Sequence, residues 1–241
     1  MKVIVPFSGG KDSTATVLRM HELGERVDEL LFTPTGDEPE DCIEHINKIV
    51  AMVGKPLVTP ENKPLSFWID FFNALPNWRQ RWCTRLIKIE PCIRYLEANP
   101  GSTLCVGLRA DEEERGGLYG PYATYRYPLR EWGWGIKEVY GYLASRSIVV
   151  PKRTDCKRCY GQRIGEWWRM WKYSPADYAS AEADEKKTGF TFRSAGRDTW
   201  PAPLSELRAQ FESGRLPRGM KLNVIDTEED DTPRACRVCS L

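Results

Sequence analysis

Six consecutive residues, Ser8-Gly9-Gly10-Lys11-Asp12-Ser13, follow a short apolar run and precede a helical one. That order restricts the fold more than any other feature of the chain. Val3-Ile4-Val5-Pro6-Phe7 is short enough for a buried strand, and Pro6, lacking an N–H, belongs at the strand's end. Thr14 to Leu23 predicts a helix through Ala15, Val17, Leu18 and Leu23, with Gly24 as its stop. Between them, two glycines let the backbone turn tightly enough for its N–H groups to face an anion, and the helix dipole adds positive potential. Ser8 and Ser13 supply hydroxyls and Lys11 a point charge. Glycine and serine are common at ordinary strand-to-helix turns, so the glycines alone say little. Six fitting residues in a row point to phosphate. The spacing is not the Walker pattern, which separates its glycines by four residues.

Further along, short strands alternate with helical runs. Leu30 to Thr33 predicts a second strand, Leu57-Val58 starts a third, Thr103 to Gly107 is a fourth and Ile148 to Val150 a fifth. Cys42 to Val53 has helical periodicity through Ile43, Ile46, Ile49 and Val50. The expected fold is α/β: an open, mostly parallel twisted sheet flanked by helices, with a C-terminal helical and irregular Cys-rich appendage. After residue 150, Trp167, Trp168, Trp171, Tyr173 and Tyr178 crowd a helical stretch, which reads as core rather than as a stacking platform for bases. A short helix is expected around Leu204 to Phe211.

Composition serves mainly to exclude. Of 241 residues, 29% are charged and 41% hydrophobic, which rules out collagenous, wholly disordered and membrane-spanning classes. No apolar run approaches the ~20 residues of a spanning helix, and the N-terminus carries no signal-peptide pattern, so a cytoplasmic protein is expected. The net charge of +1 hides an asymmetry: residues 79 to 169 hold 17 Lys and Arg against 10 Asp and Glu. Solvated surface and anion binding explain that stretch about equally well, and a nucleic-acid partner stays open. Eight cysteines in a cytoplasmic chain are metal ligands or redox groups rather than disulfides. Cys42, Cys92 and Cys105 sit in apolar settings and read as buried hydrophobes.

The six-residue loop resembles the pyrophosphate-binding loop of the adenine nucleotide alpha hydrolase superfamily. Three later segments are similar, in order, to its phosphoadenosine phosphosulfate (PAPS) reductase branch. They are the cysteine motif Arg81-Trp82-Cys83-Thr84-Arg85-Leu86-Ile87-Lys88-Ile89-Glu90-Pro91, then Gly107-Leu108-Arg109-Ala110-Asp111-Glu112-Glu113-Glu114-Arg115, then Pro128-Leu129 with Trp132 or Trp134 and Val139-Tyr140-Gly141-Tyr142-Leu143. The resemblance implies an adenine nucleotide-binding domain over 1–150 and a helical, Cys-rich metal-binding region over 151–241 packed on it. It also implies a nucleotide site made of Ser8, Gly9, Gly10, Lys11, Asp12, Ser13, Arg85, Lys88, Gly107, Arg109 and Arg115. Lys11, Arg85 and Arg109 are its candidate catalytic cations. Surface ion pairing with Glu90 and Glu112 to Glu114 is the plainer role for these arginines, and the guanidinium fork favours the anion.

The chain departs from PAPS reductases in two respects. It carries the full Ser-Gly-Gly-Lys-Asp-Ser loop of ATP-using relatives, and it has no Glu-Cys-Gly-x-His segment; its histidines are His21 and His45. The implied activity is sulfur chemistry on an adenine nucleotide with an iron–sulfur cluster, as reduction of an adenylylated sulfate. The alternative is an ATP pyrophosphatase that adenylates an acceptor, nucleic acid included, for sulfur insertion, with magnesium at the phosphates. A nucleotide- or redox-sensing module with a structural zinc is the third reading. Cys156-Lys157-Arg158-Cys159 and Cys236-Arg237-Val238-Cys239 are chelating pairs. Four thiolates suit zinc or a 4Fe–4S cluster. By the resemblance, Cys83, Cys156, Cys159 and one of Cys236 or Cys239 form the cluster set. The implied partners are ATP or PAPS and a nucleic-acid or protein partner in sulfur or electron transfer, without a membrane; a homo-oligomer is compatible.

Overall fold

Five strands form one sheet: β1 (Val3–Pro6), β2 (Glu29–Leu31), β3 (Leu57–Val58), β4 (Thr103–Cys105) and β5 (Thr124–Arg126). They are seen in a computed structural model, which describes residues 1–112, 120–196 and 198–220. The order is β3-β2-β1-β4-β5 and every pairing is parallel. β1 therefore lies at the centre, and alternation along it feeds two cores. Val5 faces a cluster with Leu30, Ile46 and Leu143, while Ile4 faces one with Leu31, Leu96 and Leu104. Parallel sheets need both faces covered. Helices α1 (Lys11–Glu22), α2 (Glu40–Val53) and, later in the chain, the helix at Ile136–Ser145 supply the first face, and the helix at Glu90–Glu97 the second.

The fifth strand is not where the sequence pattern put it. Ile148 is buried in the first cluster and its N–H donates to Leu143 O at 3.0 Å, whereas Val149 is 84% exposed. Residues 148–150 thus close the helix at Ile136–Ser145 against the core. β5 instead comes from Thr124-Tyr125-Arg126, whose side chains are largely half-buried, and Val106 N–H donates to Arg126 O. The predicted helix at 14–23 begins three residues earlier, directly at Lys11.

Packing divides the chain into two compact units. The sheet unit contains Met1–Lys63 and Thr84–Asp155; the second contains Pro64–Cys83 and the described residues from Cys156 onward. The second unit is helical: α3 (Leu65–Phe72), with helices at Ile164–Tyr173, Pro175–Thr188 and Leu204–Glu212. Trp167, Trp168 and Tyr178 are core at 0%, 1% and 1% exposure, whereas Tyr173, expected there too, is 51% exposed at the helix's end. The Trp167 ring meets Tyr178 edge-on at 6.2 Å, and Tyr178 O–H donates to Leu204 O at 2.8 Å. Among the described residues, no helix is long and apolar enough to cross a membrane.

Candidate functional site

The chain leaves β1 for β2 and β3 on one side of the sheet, and later adds β4 and β5 on the other. This makes the carboxyl ends of β1 and β4 the switch point, where open parallel sheets form a ligand crevice. Both loops there carry sequence motifs: Ser8 to Ser13 follows β1, and Gly107 to Glu112 follows β4.

Gly9 has φ 74°, and a Cβ on it would stand 2.8 Å from Ile46 Cγ1, so its glycine is required by both backbone and space. Gly10 caps α1 in extended conformation without any side-chain cap hydrogen bond. The first-turn N–H groups of α1 are therefore not taken by a capping side chain, and the helix dipole is unopposed there except by Asp12. Ser13 Oγ donates to Gly10 O at 3.0 Å and lies 3.4 Å from Ser8 Oγ. Lys11 is 6% exposed, with Nζ 3.2 Å from Asp12 Oδ2. Asp12 Oδ1 is buried with no hydrogen-bond partner among the described residues.

The β4 loop locks onto this turn. A Cβ on Gly107 would lie 2.9 Å from Thr16 Oγ1 and 3.2 Å from the Asp12 carbonyl, so only glycine lets the strand end come so near α1. Arg109 reaches Asp12 Oδ2 at 2.9 Å, Asp111 Oδ1 at 2.8 Å and Glu112 Oε1 at 3.4 Å. Burial alone lowers the Arg109 pKa, but Asp12, Glu112 and Asp111 outweigh it and hold the guanidinium above its usual value. Arg109 is thus surrounded by carboxylates and fixes Asp12. Asp12 is 97 residues from Arg109 in the chain, a pairing that the local motif does not show.

Arg85 and Lys88 lie on a π-helical turn, Thr84–Ile89, of the kind that often marks functional sites. Asn62 Nδ2 donates to Pro34 O and Ile87 O, tying that turn to the segment after β2. Arg85 is exposed, with Nε 3.3 Å from Glu90 Oε1. Lys88 acts on Cys42, whose Sγ donates to Ser8 O at 3.8 Å beneath the loop. Burial pushes the Cys42 thiol up to about 12; Glu38, Asp41 and Asp155 push the same way and Lys88 opposes them. So Lys88 stands within electrostatic reach of the loop's floor. Arg115 falls outside the described residues.

Several neighbours escaped the sequence reading. Thr154 Oγ1 would lie 3.5 Å from a Cβ on Gly10. Thr14 Oγ1 and His45 Nε2 form a buried 2.9 Å hydrogen bond, and burial lowers the His45 pKa. Glu38 accepts N–H bonds from Thr35, Gly36 and Asp37, which shapes the turn after β2. Such loop contacts leave no periodic trace. The only available signal was their position after a strand.

Of the proposed metal ligands, Cys83, Cys156 and Cys159 lie in the second unit, and Cys236 and Cys239 outside the described residues. Cys159 Sγ accepts the Gly161 N–H at 3.4 Å. Burial raises the Tyr160 pKa, Cys83 and Cys159 raise it further, and Arg81 opposes them. Two of the three thiols thus act electrostatically on one phenol. Among the described residues, no three His, Cys, Asp or Glu side chains are close enough to hold a metal. The three thiols described suit a soft metal in kind, and the other two proposed ligands lie outside the described residues. Cys42, Cys92 and Cys105 are buried hydrophobes, at 0%, 2% and 0% exposure.

An open parallel sheet with a glycine loop at its switch point defines the class as α/β. The chain belongs to the phosphoadenosine phosphosulfate reductase domain family, which matches residues 2–150; this family binds adenine nucleotides. It is 31% identical over 204 residues to an uncharacterized protein of Methanocaldococcus jannaschii, covering 73% of this chain and 42% of that protein. The chain therefore spans less than half the length of that relative. Among solved structures it is similar to the PAPS reductase from Candida auris in its phosphate complex, at 14% identity and TM-score 0.49, covering 62% of this chain and 75% of that one. It is also similar to the U34-tRNA thiolase NcsA from Methanococcus maripaludis with its 4Fe–4S cluster, at 17% identity and TM-score 0.49, covering 100% of this chain and 80% of that one.

Proposed function

We propose that the chain binds the phosphates of ATP at the α1 N-terminus and transfers the adenylyl group to an acceptor, as a step in sulfur chemistry. The observation that carries this reading is the first turn of α1: no side-chain cap, a buried Lys11, and a buried Asp12 oxygen without a partner among the described residues. Asp12 Oδ1 fits the magnesium that accompanies ATP, whose charge would offset that of the phosphates. In the transfer an acceptor oxygen bonds to the α-phosphorus as its bond to the bridging oxygen breaks, and pyrophosphate leaves. The charge that develops on the leaving oxygen is met by the loop N–H groups and Lys11. Arg109 keeps the Asp12 carboxylate aimed, and Lys88 adds positive potential near Ser8. Arg85 and Arg115 are left as candidates for the nucleotide's outer phosphates.

A second reading, reduction of an adenylylated sulfate, is supported by the placement of Cys83, Cys156 and Cys159 in one compact unit. A 4Fe–4S cluster bound by Cys83, Cys156, Cys159 and one of Cys236 or Cys239 would supply electron transfer or hold sulfur; zinc is the alternative metal. Incubation with ATP and magnesium, or with PAPS and a reductant, tests both readings. AMP with pyrophosphate supports adenylyl transfer, and sulfite supports reduction. Neither product, together with no nucleotide binding by calorimetry, refutes the nucleotide assignment.

A further inference from the structure

The segment that follows the helix at Ile136–Ser145 returns to the phosphate loop, and no motif gives its polar residues a role. Ile148 is buried in the first cluster and Val150 packs against it. Between them, the Val149 backbone hydrogen-bonds the ring of His45, whose Nε2 lies 2.9 Å from Thr14 Oγ1 on α1. One buried imidazole thus ties the segment to the helix that begins at the loop. A few residues on, Thr154 reaches the loop itself. Its Oγ1 and Ser8 Oγ each lie 3.5 Å from the point that a Cβ on Gly10 would occupy. Ser13 Oγ is 3.4 Å from Ser8 Oγ, so three hydroxyls collect about the Gly10 turn. Asp155, the next residue, acts electrostatically on Cys42 beneath the loop, which places the segment there independently.

We propose that Thr154 is a further binding residue of this site, its O–H donating to an oxygen of the phosphate seated at the Gly10 turn. The inference rests on the reading of that turn as a phosphate site. Thr154 is half-buried, and among the described residues its hydroxyl makes no hydrogen bond. Ser13, by contrast, already donates to Gly10 O. Thr154 therefore has a donor to give that the fold does not use. A group lying between Ser8 and Thr154 is within reach of hydroxyl bonds of about 2.5–3.0 Å from both sides. A phosphate oxygen is a charged acceptor, which makes such a bond stronger than one between neutral groups. The His45 tie holds the segment in place before the ligand arrives, so little ordering entropy opposes the contact.

Calorimetry on the full chain, with magnesium ATP and separately with pyrophosphate, tests this. Thr154→Val removes the hydroxyl and should weaken both ligands about tenfold at an unchanged melting temperature. Thr154→Ser, which keeps the hydroxyl, should bind within about twofold of wild type. If the valine variant melts early, Thr154→Ala is read in its place. A valine variant that binds both probes as tightly as wild type overturns the inference and leaves the phosphate site standing. A serine variant as weak as the valine one also overturns it, because the methyl group rather than the hydroxyl would then matter. So does a loss confined to ATP, which would move Thr154 to the nucleoside end. Wild-type protein that binds neither probe defeats the phosphate reading itself, and this inference with it.

Discussion

Each residue of the β1 and β4 loops answers either to a ligand or to the fold, and the three that can be separated by substitution are Gly10, Gly107 and Arg109. Gly10 has an ordinary φ of −74°, and a Cβ there meets nothing closer than 3.5 Å. Gly10→Asp should therefore fold normally while placing a carboxylate where phosphate belongs. Like charges about 4 Å apart near a surface repel by about 4 kcal/mol, so adenine nucleotide affinity should fall at least about a hundredfold by calorimetry. Unchanged affinity would remove the phosphates from this loop. Gly107→Ala is the opposite case. Its methyl group collides with Thr16 Oγ1 and the Asp12 backbone, and overpacking of this sort costs about 1–3 kcal/mol. Stability and nucleotide binding should fall together. Arg109→Ala removes the guanidinium that Asp12, Asp111 and Glu112 share, and removing one partner from a buried pair costs about 3–5 kcal/mol. A large drop in melting temperature accompanied by weaker binding is expected. Lost binding at the wild-type melting temperature would return Arg109 to direct contact with the anion. The sequence exposed these residues because their spacing is local, but it could not show that Asp12 had claimed Arg109.

At the scale of elements, the strand–loop–helix at the N-terminus was legible because buried strand, glycine turn and helix each leave a mark within a few residues. β5 was not, since Thr124-Tyr125-Arg126 lacks an apolar run and joins the sheet through β4. The apolar run at 148–150 looked more like a strand and serves instead to close a helix. Glu185, on the helix at Pro175–Thr188, is a feature no pattern would reveal. It is 8% exposed, and its two oxygens accept the N–H groups of Phe192 at 2.9 Å and Leu204 at 2.7 Å. It thereby ties its helix to the loop at Phe192 and to the start of the helix at Leu204–Glu212. Burial pushes its carboxyl up to about 7, against the two N–H bonds, which favour the ionised form. The folded state thus holds the proton more tightly than the unfolded chain, whose carboxyl has its usual value near 4.5. Its contribution to stability is present below about 4.5 and declines as pH rises toward about 7. Melting temperature followed over that window should show a decline in the wild type that is shallower in Glu185→Gln. Parallel curves for the two proteins would show that Glu185 does not titrate there.

For the whole molecule, the pattern along the chain shows one α/β region followed by a helical one, whereas packing assigns 64–83 to the second unit. Membership of a core is a non-local property, and the 64–83 segment joins the C-terminal part through rings such as Trp78 and Tyr160, 5.1 Å apart, that no window of sequence brings together. One consequence is that the two chemistries read from the sequence rest on different cores. The phosphate loop, Gly107 and Arg109 are held within the sheet unit, whereas Cys83, Cys156 and Cys159 are held within the helical one. The unit boundaries fall directly after Cys83 and directly before Cys156, so two of these thiols sit where the chain passes from one unit to the other. Substitutions in separate cores without shared partners act almost additively. Gly10→Asp should then abolish nucleotide binding while leaving the metal content of anaerobically purified protein unchanged. Cys159→Ser, which removes the sulfur that accepts the Gly161 N–H, should lower metal content while leaving ATP affinity within about twofold. The double variant should show both losses and no more. If Cys159→Ser instead weakened ATP binding as strongly as Gly10→Asp, thiols and phosphate loop would form a single energetic unit, and the division of labour argued from the two cores would fail.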